Sequence, residues 1–290
     1  MDEVVIFNDG VNDDSGKWHS EANELMALLL SYMETPPHMR KRLFPMNPDL
    51  RSAGVMPSLD LPHHLRRDES SQYREGVTLD GGSARQSRTA TGHAVVDVGT
   101  EEMVEIPVDI PPNTRVTIRC SETGTTSLAE AVAATEPREK FGWYWGYDVR
   151  PASSLSAVFT ECPWEGGYDS SVGTSERGRN VQEVLDLYAQ AKQDVDDDHT
   201  LTNVDAEAIA KAQALSSYSH LLLVLGGHQG LEVATRNDQE LKNMGVDKPE
   251  MLFDWWVNLC PNQGSRTIRT EEAVWLGLMT FRNIVEQRGG

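Results

Sequence analysis

Apolar residues in the first part of the chain follow two spacings. Residues 3–8 (EVVIFN) form a short apolar run that predicts a strand. From residue 20 to 33, apolar residues recur every three or four positions and predict a helix, which must end before Pro36-Pro37 because proline cannot continue it. Residues 40–74 follow neither spacing and are rich in Pro, His and Arg, so we interpret them as a loop.

Residues 77–147 change to short β runs between Gly, Pro and Asn turns. The runs are residues 95–98, 104–108 and 115–118, with Val132 and residues 144–149 as candidate continuations. Short strands at close, regular spacing indicate a small barrel. We therefore predict a β module at residues 75–149, inserted into an α/β domain made of residues 1–74 and 150–290.

After Arg150 the pattern predicts strands and helices together, as in an α/β domain. The predicted strands are residues 155–159, 221–225 and 253–259, and the predicted helices are residues 181–193, 206–215 and 273–285. The run at 221–225 is continuously apolar, as a buried parallel strand requires. Thr270 is the expected N-cap of the last helix, and Glu271 and Glu272 complement the helix dipole in its first turn.

Composition is that of a globular intracellular protein. The chain has 290 residues, 39% of them hydrophobic and 24% charged, enough for one large domain or two modest ones. No apolar run is long enough for a membrane span, and the N-terminus has no signal-peptide pattern, so a nuclear, nucleolar or cytoplasmic location without a membrane partner is expected. Cys120, Cys162 and Cys260 are widely spaced, which favours free thiols and no metal site.

Charge is distributed unevenly. The formal net charge of -19 argues against nucleic acid as a partner, because phosphate contacts need Lys and Arg. Between residues 36 and 74, however, seven Lys or Arg oppose four acids, whereas eight acids oppose two lysines between residues 180 and 217. We interpret residues 180–217 as an acidic insertion, which leaves a basic face available elsewhere. Within the insertion, DVDDDHT has calcium-like spacing, but Leu201 occupies the position that requires glycine, which argues against calcium.

Three loops that follow predicted strands hold the candidate chemistry, because ligands bind at the carboxyl ends of parallel strands. They are residues 173–178 (GTSERG), 226–232 (GGHQGLE) and 258–272 (NLCPNQGSRTIRTEE), called the first, second and third loop. Glycine at a strand exit lets a ligand approach the backbone closely. The second loop has neither dinucleotide nor P-loop spacing. The third is long for a connection, which favours a functional role.

Two arginines in the third loop have two possible roles. Arg266 and Arg269 can bind a phosphate or carboxylate through paired hydrogen bonds. Alternatively, they form ordinary ion pairs with Glu271, Glu272 or Glu232.

Taken together, the three loops resemble the C-terminal motifs of the eukaryotic and archaeal SPOUT-domain RNA methyltransferases. Further matching stretches are residues 43–45 (LFP), 60–64 (DLPHH), 73–76 (YREG), 144–147 (YWGY) and 155–159 (LSAVF). The resemblance covers nearly the whole chain except the acidic insertion, and its most specific part is the third loop. It is closest to a group linked to uridine N3 methylation of ribosomal RNA and to kinetochores.

The resemblance implies a SPOUT α/β fold whose C-terminal part forms a trefoil knot, with an inserted OB-like β-barrel and a homodimer that completes the pocket. Family members usually begin with a further strand and helix before the strand that matches EVVIFN. A missing N-terminal strand and helix is therefore an expectation for this chain.

A cofactor, S-adenosyl-L-methionine, is also implied, held by the three loops. The implied cofactor-binding residues are Thr174, Ser175, Glu176, Gly226, Gly227, Gly230, Glu232, Asn258, Cys260, Pro261, Gln263, Gly264, Ser265, Thr267, Ile268 and Thr270. Gly227 and Gly264 would leave room for the adenine.

Methyl transfer to N3 of a ribosomal RNA uridine is the implied reaction. Arg266 or Arg269 would orient RNA or stabilise the developing anion, and Glu232 or Glu271 would be the base. The hypothesised RNA-binding residues are Arg40, Lys41, Arg42, Arg66, Arg67 and Arg177. Two alternatives stay open: a non-catalytic RNA-binding adaptor associated with the spindle or kinetochore, and a generic α/β enzyme that binds an anionic metabolite with the third loop.

Overall fold

The computed structural model describes residues 1–11, 18–80, 93–120, 129–194 and 206–287. It divides into two compact units. Unit 1 comprises Met1–Ile6 and Glu24–Arg150, and unit 2 comprises Phe7–Asn23 and Pro151–Gly290. The boundaries predicted for the inserted module stay a prediction. The calcium-like stretch DVDDDHT begins at Asp194, and its other residues, 195–200, lie outside the described residues.

Strands and helices are numbered along the chain. The strands are β1 (Glu3–Phe7), β2 (Tyr73–Thr78), β3 (Ala94–Asp97), β4 (Val104–Ile106), β5 (Arg115–Arg119), β6 (Glu130–Val132), β7 (Asp148–Ala152), β8 (Ser170–Asn180), β9 (Leu221–Val224) and β10 (Trp255–Asn258). The α-helices are α1 (Trp18–Glu34), α2 (Pro37–Leu43), α3 (Glu136–Phe141), α4 (Leu155–Thr160), α5 (Val181–Asp194), α6 (Ala206–Ser217), α7 (Leu231–Asn237), α8 (Gln239–Asn243) and α9 (Thr270–Glu286). Short 3-10 helices occupy Pro48–Val55 and Pro249–Leu252.

The basic segment at 40–74 is more ordered than the loop predicted for it. Helix α1 ends before Pro36, as expected, but α2 and a 3-10 helix follow. Pro37 and Pro48 begin these two elements, because proline fits the first turn of a helix. Asn47 adds a cap by accepting a hydrogen bond from the backbone of Asp49. The loop interpretation of this segment is therefore partly wrong.

Unit 1 contains a five-stranded antiparallel sheet with the order β4-β3-β2-β5-β6. The predicted β runs at 95–98, 104–108 and 115–118 are confirmed as β3, β4 and β5. In β4, buried and exposed residues alternate, as in a strand with one covered face. Val96, Ile106 and Ile118 are fully buried in the core of this sheet.

Strand β7 lies outside that sheet. It pairs with β1, and the backbone bonds from Asp148 N to Asp2 O (2.9 Å) and from Asn8 N to Ala152 O (3.1 Å) show that the two strands run in the same direction. Residues 144–149 therefore do not continue the five-stranded sheet, and that part of the β-run prediction is wrong. The strand predicted at residues 3–8 is confirmed as β1.

A buried ion network stabilises unit 1. Arg115 donates from Nη1 and Nη2 to the two carboxylate oxygens of Glu34, at 2.5 and 3.0 Å, and from Nε to Glu75 at 2.6 Å. His63 Nε2 lies 2.9 Å from Glu34 Oε1. Burial raises the pKa of the Glu34 carboxyl, but hydrogen bonds from His63 and Arg115 and the charge of Arg115 outweigh burial and lower this pKa to about 2. The network therefore keeps a charged carboxylate in the interior.

Unit 2 is built on a parallel sheet with the order β10-β8-β9. Val172, Val184, Leu215, Val257 and Ile284 are among the buried residues of its core. The helices predicted at 181–193, 206–215 and 273–285 are confirmed as α5, α6 and α9, and the strands predicted at 221–225 and 253–259 as β9 and β10. The fold is thus mixed α/β, with parallel sheets and an antiparallel sheet, as predicted. The trefoil knot and the OB-like barrel stay predictions.

Two local predictions in unit 2 are wrong. Residues 155–159 form helix α4, because Ser154 caps it by accepting a hydrogen bond from Ala157 N, and a five-residue apolar run does not distinguish strand from helix. Thr270 is the first helical residue of α9 rather than its N-cap. The N-cap is Arg269, whose backbone N–H donates to the Glu272 carboxylate at 2.9 Å. Across the described ranges, no helix is long and apolar enough to cross a membrane.

Candidate active site

The first loop lies where β8 leaves its pairing with β10. Trp256 pairs with Gly173, whereas the next residue, Val257, pairs with Arg179. Residues 174–178 therefore bulge out between two consecutive residues of β10. Gly178 makes this possible, since a Cβ there would lie 2.3 Å from the carbonyl carbon of Val257. The bulge places the first loop in the C-terminal part of β8, the central strand of the parallel sheet.

Hydrogen bonds join the first loop to the second. The Thr174 hydroxyl donates to Val224 O at 3.1 Å, at the end of β9. The Ser175 hydroxyl donates to the carboxylate of Glu232 at 3.1 Å. Arg177 lies 3.8 Å from that carboxylate, with 73% of its side chain exposed against 26% for Glu232. Glu232 is thus a half-buried acid between the two loops.

Further bonds bring the third loop into the same cluster. The Asn258 side-chain amide donates to Glu176 O at 2.9 Å, and Asn258 Oδ1 accepts from Cys260 N at 3.0 Å. The Thr270 hydroxyl donates to Gly226 O at 3.3 Å. The three loops selected from the sequence are therefore one structural cluster.

The glycines of the cluster fall into two groups. Gly226 and Gly230 are required by the fold of the second loop, because a Cβ at Gly226 would lie 2.8 Å from the Gly230 backbone and Gly230 has a φ of 75°. Gly264 faces open space, with nothing within 4 Å of a built Cβ, and at Gly227 a Cβ would only touch Asp9 Oδ2 at 3.4 Å. The last two leave room beside the loops.

Asp9 belongs to this cluster, and the sequence reasoning missed it. Besides its position near Gly227, its carbonyl oxygen accepts a hydrogen bond from Asn237 Nδ2 at 3.1 Å, on α7. Its carboxylate also accepts from Val11 N at 3.0 Å. The signal was present, since Asp9 lies two residues beyond the end of β1, just as the second loop begins two residues beyond the end of β9. The strand-end rule applied to β1 would have found it.

The candidate catalytic residues differ in their surroundings. Arg269 lies 3.7 Å from Glu271, and both side chains are highly exposed, so the ion-pair interpretation holds for this arginine. Arg266 is exposed and has no ion pair within the described residues. Glu232 is the half-buried acid of the cluster. Of the two candidate acids, Glu232 is thus the one that lies between the first and second loops.

The remaining predicted cofactor residues of the third loop are Pro261, Gln263, Ser265, Thr267 and Ile268. Ser265 donates to Thr267 O at 2.9 Å, which closes a turn inside the loop. Asn262 supports the neighbouring turn with a φ of 60°, which Asn tolerates better than most residues. Pro261, Gln263 and Ile268 are half-buried. These contacts give the third loop a defined shape.

The hypothesised RNA-binding residues differ in their contacts and exposure. Arg40 is occupied by unit 1 itself, because its guanidinium donates to Thr35 O at 2.7 Å and Met33 O at 3.0 Å at the end of α1. Arg67 forms an exposed pair with Glu101 at 3.0 Å. Lys41 and Arg66 are exposed and Arg42 is half-buried, also in unit 1, whereas Arg177 lies in unit 2.

Comparison with known proteins decides the family. Residues 1–281 match the family described as "Putative RNA methyltransferase". The chain belongs to this RNA methyltransferase family. It is 38% identical over 302 residues to the 28S rRNA (uridine-N(3))-methyltransferases of Homo sapiens and Mus musculus, covering 100% of this chain and 70% and 69% of those proteins. The Drosophila melanogaster protein of that name is 39% identical over 301 residues, covering 97% of this chain and 54% of its own length.

Membership confirms the predicted family, RNA methyltransferase, and the predicted enzyme class. The loop cluster lies toward the carboxyl ends of the parallel strands β8, β9 and β10, where ligands bind in open α/β sheets. A metal is not implied by the described residues, which contain no group of three or more His, Cys, Asp or Glu placed to hold one.

Proposed function

We propose that this chain transfers a methyl group from S-adenosyl-L-methionine to N3 of a uridine in large-subunit ribosomal RNA. The observation that carries the proposal is the convergence of three loops in a chain that aligns over its whole length with 28S rRNA (uridine-N(3))-methyltransferases. The substrate named for those relatives is the substrate proposed here. Because ribosomal RNA is the proposed substrate, a nuclear or nucleolar location is part of the proposal.

Two features of the loop cluster support binding of S-adenosyl-L-methionine. Gly227 and Gly264 leave space that a side chain would fill, and Glu232 offers a half-buried carboxylate to a cationic ligand. Residues 174–176, 226–232 and 258–270 would hold the cofactor with their backbone and small polar side chains. When bound, S-adenosyl-L-methionine supplies a methyl group on a positively charged sulfur.

Proton removal is the task left to the protein, because N3 of uridine carries a proton at neutral pH. Glu232 is better suited as base than Glu271, since Ser175 fixes its carboxylate and only 26% of its side chain is exposed, against 70% for Glu271. Arg266 forms no ion pair within the described residues, so its guanidinium is suited to stabilise the anion that develops on the uracil ring. Arg269 lies next to Glu271 at the start of α9 and would orient RNA.

A homodimer with a knotted C-terminal region completes the proposal. Trp275, Leu278 and Met279 project from one face of α9 with 72%, 49% and 59% exposure. Such a row of exposed apolar side chains is typical of an interface rather than of a monomer surface. A second copy would cover it. The OB-like barrel for the five-stranded sheet of unit 1 is part of the same proposal, and spindle or kinetochore association stays a prediction from the resemblance.

The test is methyl transfer to unmodified large-subunit ribosomal RNA. The purified chain is incubated with isotope-labelled S-adenosyl-L-methionine, and digested nucleosides are analysed by mass spectrometry. The proposal expects label in 3-methyluridine. Stoichiometric cofactor and RNA binding without any transfer would instead assign the chain as an adaptor. Absence of cofactor binding at millimolar concentration would remove the proposed pocket.

A further inference from the structure

An exposed pair of stacked aromatic rings lies in unit 1, outside the loop cluster. Helix α3 ends at Gly142, which has a φ of 67° and donates to Arg138 O at 2.8 Å, while Trp143 N donates to Pro137 O at 3.3 Å. This left-handed turn brings the rings of Phe141 and Trp143 together. Their centroids are 5.0 Å apart and their planes are inclined by 29°. The turn therefore builds a stacked pair from two residues that flank one glycine.

Buried rings hold this pair from beneath. Tyr73 is fully buried and contacts Phe141 and Trp143 edge-on, at 5.9 and 6.1 Å between centroids. The Tyr73 hydroxyl donates to Glu136 at 2.9 Å, which fixes its ring. Trp145 contacts Tyr73 at 5.9 Å and is itself fixed, because its indole N–H donates to a buried carboxylate at 2.7 Å. The outer pair is therefore preorganised, which lowers the entropy lost on binding.

Exposure of the outer pair is unusual for rings of this size. Phe141 and Trp143 are 45% and 39% exposed, although large aromatic side chains normally lie buried or in an interface. Neighbouring cations do not make the surface a simple phosphate site, because Arg138 pairs with Asp2 and Lys140 lies 3.0 Å from Glu136. The surface thus offers exposed aromatic rings rather than unpaired positive charge.

Exposed aromatic rings held in a fixed position match one chemical group of an RNA substrate, the unpaired nucleobase. Unpaired nucleobases stack on aromatic side chains whatever their sequence, whereas bases within a duplex are already stacked on one another. We propose that Phe141 and Trp143 form a stacking platform for an unpaired base of the RNA substrate. The ligand class rests on the proposed function, but the platform is separate from the loops that would hold the cofactor.

The experiment measures RNA binding by the full chain. Fluorescence anisotropy compares an unpaired RNA oligonucleotide with a duplex of the same sequence, for the wild type and the double variant Phe141→Leu/Trp143→Leu. Leucine keeps an apolar side chain but removes the flat face. We expect affinity for unpaired RNA to fall about five- to hundredfold, and this loss to depend little on salt because no phosphate contact is removed. Affinity for the duplex should change little.

Two controls separate stacking from folding and from general apolar contact. The variant Phe141→Tyr/Trp143→Phe keeps both faces and should bind unpaired RNA within about twofold of the wild type, by the same stacking argument. Val108→Ala removes exposed apolar surface elsewhere in unit 1 and should have no effect. Calorimetry with S-adenosyl-L-methionine should give the same affinity for every variant.

If Phe141→Leu/Trp143→Leu binds unpaired RNA with wild-type affinity, the proposed stacking platform is wrong. The exposed rings would then be explained as a surface that contacts a protein. The proposed function fails in a different way, with RNA bound through the platform but no methyl transferred. The two failures are distinguishable, because the binding measurement needs no methyl transfer.

Discussion

The side-chain amide of Asn258 donates a 2.9 Å hydrogen bond to the carbonyl oxygen of Glu176. This bond connects the end of β10 to the bulge of β8. Residues 174–178 of the bulge have no pairing partner on β10. The third loop is thus attached to the first by a side chain rather than by the sheet. A substitution here can loosen the site without unfolding the sheet.

Replacing Asn258 by alanine should weaken binding of S-adenosyl-L-methionine by about two- to tenfold, since a typical hydrogen bond contributes about 0.5–1.5 kcal/mol. Calorimetry measures the effect. Asn243→Ala is the matched control, because Asn243 accepts only an exposed bond from Gln239 on α8. Equal affinities for the two variants would show that the bond does not shape the pocket.

Two glycine substitutions should separate folding from cofactor binding. In Gly178→Ala, the new Cβ meets the Val257 backbone at 2.3 Å, so the free energy of unfolding should fall by about 1–3 kcal/mol. In Gly264→Ala the Cβ meets nothing within 4 Å, so stability should change by less than about 0.5 kcal/mol. If the cofactor occupies that space, its affinity should fall about tenfold, a penalty near 1.4 kcal/mol. Urea unfolding and calorimetry together check both, and a Gly264→Ala protein with wild-type affinity places the cofactor elsewhere.

Arg266→Ala should lower the rate of methyl transfer about a hundredfold or more, because a preorganised cation that stabilises developing charge contributes on that scale. Cofactor affinity should stay constant. Single-turnover transfer to ribosomal RNA measures the rate, and Lys248→Ala, an exposed cation 3.9 Å from Glu250, is the control. A variant with a full transfer rate removes Arg266 from the mechanism.

Glu34→Gln should reduce stability at neutral pH but not at strongly acidic pH. Because the pKa of Glu34 is lowered to about 2 in the folded state, its ionised form contributes stability above pH 4.5 that is lost as pH falls toward 2. The shift corresponds to about 3 kcal/mol. Thermal unfolding from pH 2 to 7 measures the difference, with Glu101→Gln, an exposed partner of Arg67, as control. A pH-independent difference would contradict the ionic origin of the effect.

Trp275→Glu should convert a dimer to a monomer, because it places a charge in the exposed apolar row of α9. Sedimentation velocity measures the state of association. Met251→Glu, at a residue that is 59% exposed outside α9, should leave it unchanged. A wild-type chain that sediments as a monomer at micromolar concentration would contradict the proposed homodimer.

The spacing of apolar residues correctly predicted several helices and strands of unit 2. Apolar residues recur at helical spacing in α5, α6 and α9, and the continuous apolar run of β9 matches the parallel strand that the structure shows. The strand-end rule correctly selected the second and third loops, which follow β9 and β10. The first loop lies within β8, a strand that the sequence pattern did not predict, and the strand predicted before it is helix α4.

Features set by distant partners were not predictable in this way. The pairing of β7 with β1 and the bulge at residues 174–178 depend on strands far away in sequence. Residues 155–159 form a helix because Ser154 caps them, a local effect that their apolar pattern conceals. Asp9 was overlooked because the strand-end rule was not applied to β1, and its neighbour Gly227 is distant in sequence.

The parallel pairing of β8 with β10 also has a consequence for how the protein is made. Ser171 on β8 and Asp254 beside β10 bond across 83 positions of sequence. Such long-range contacts form slowly, and a ribosome releases the N-terminal part of a chain first. Assembly of the loop cluster therefore waits for the most C-terminal of its three loops.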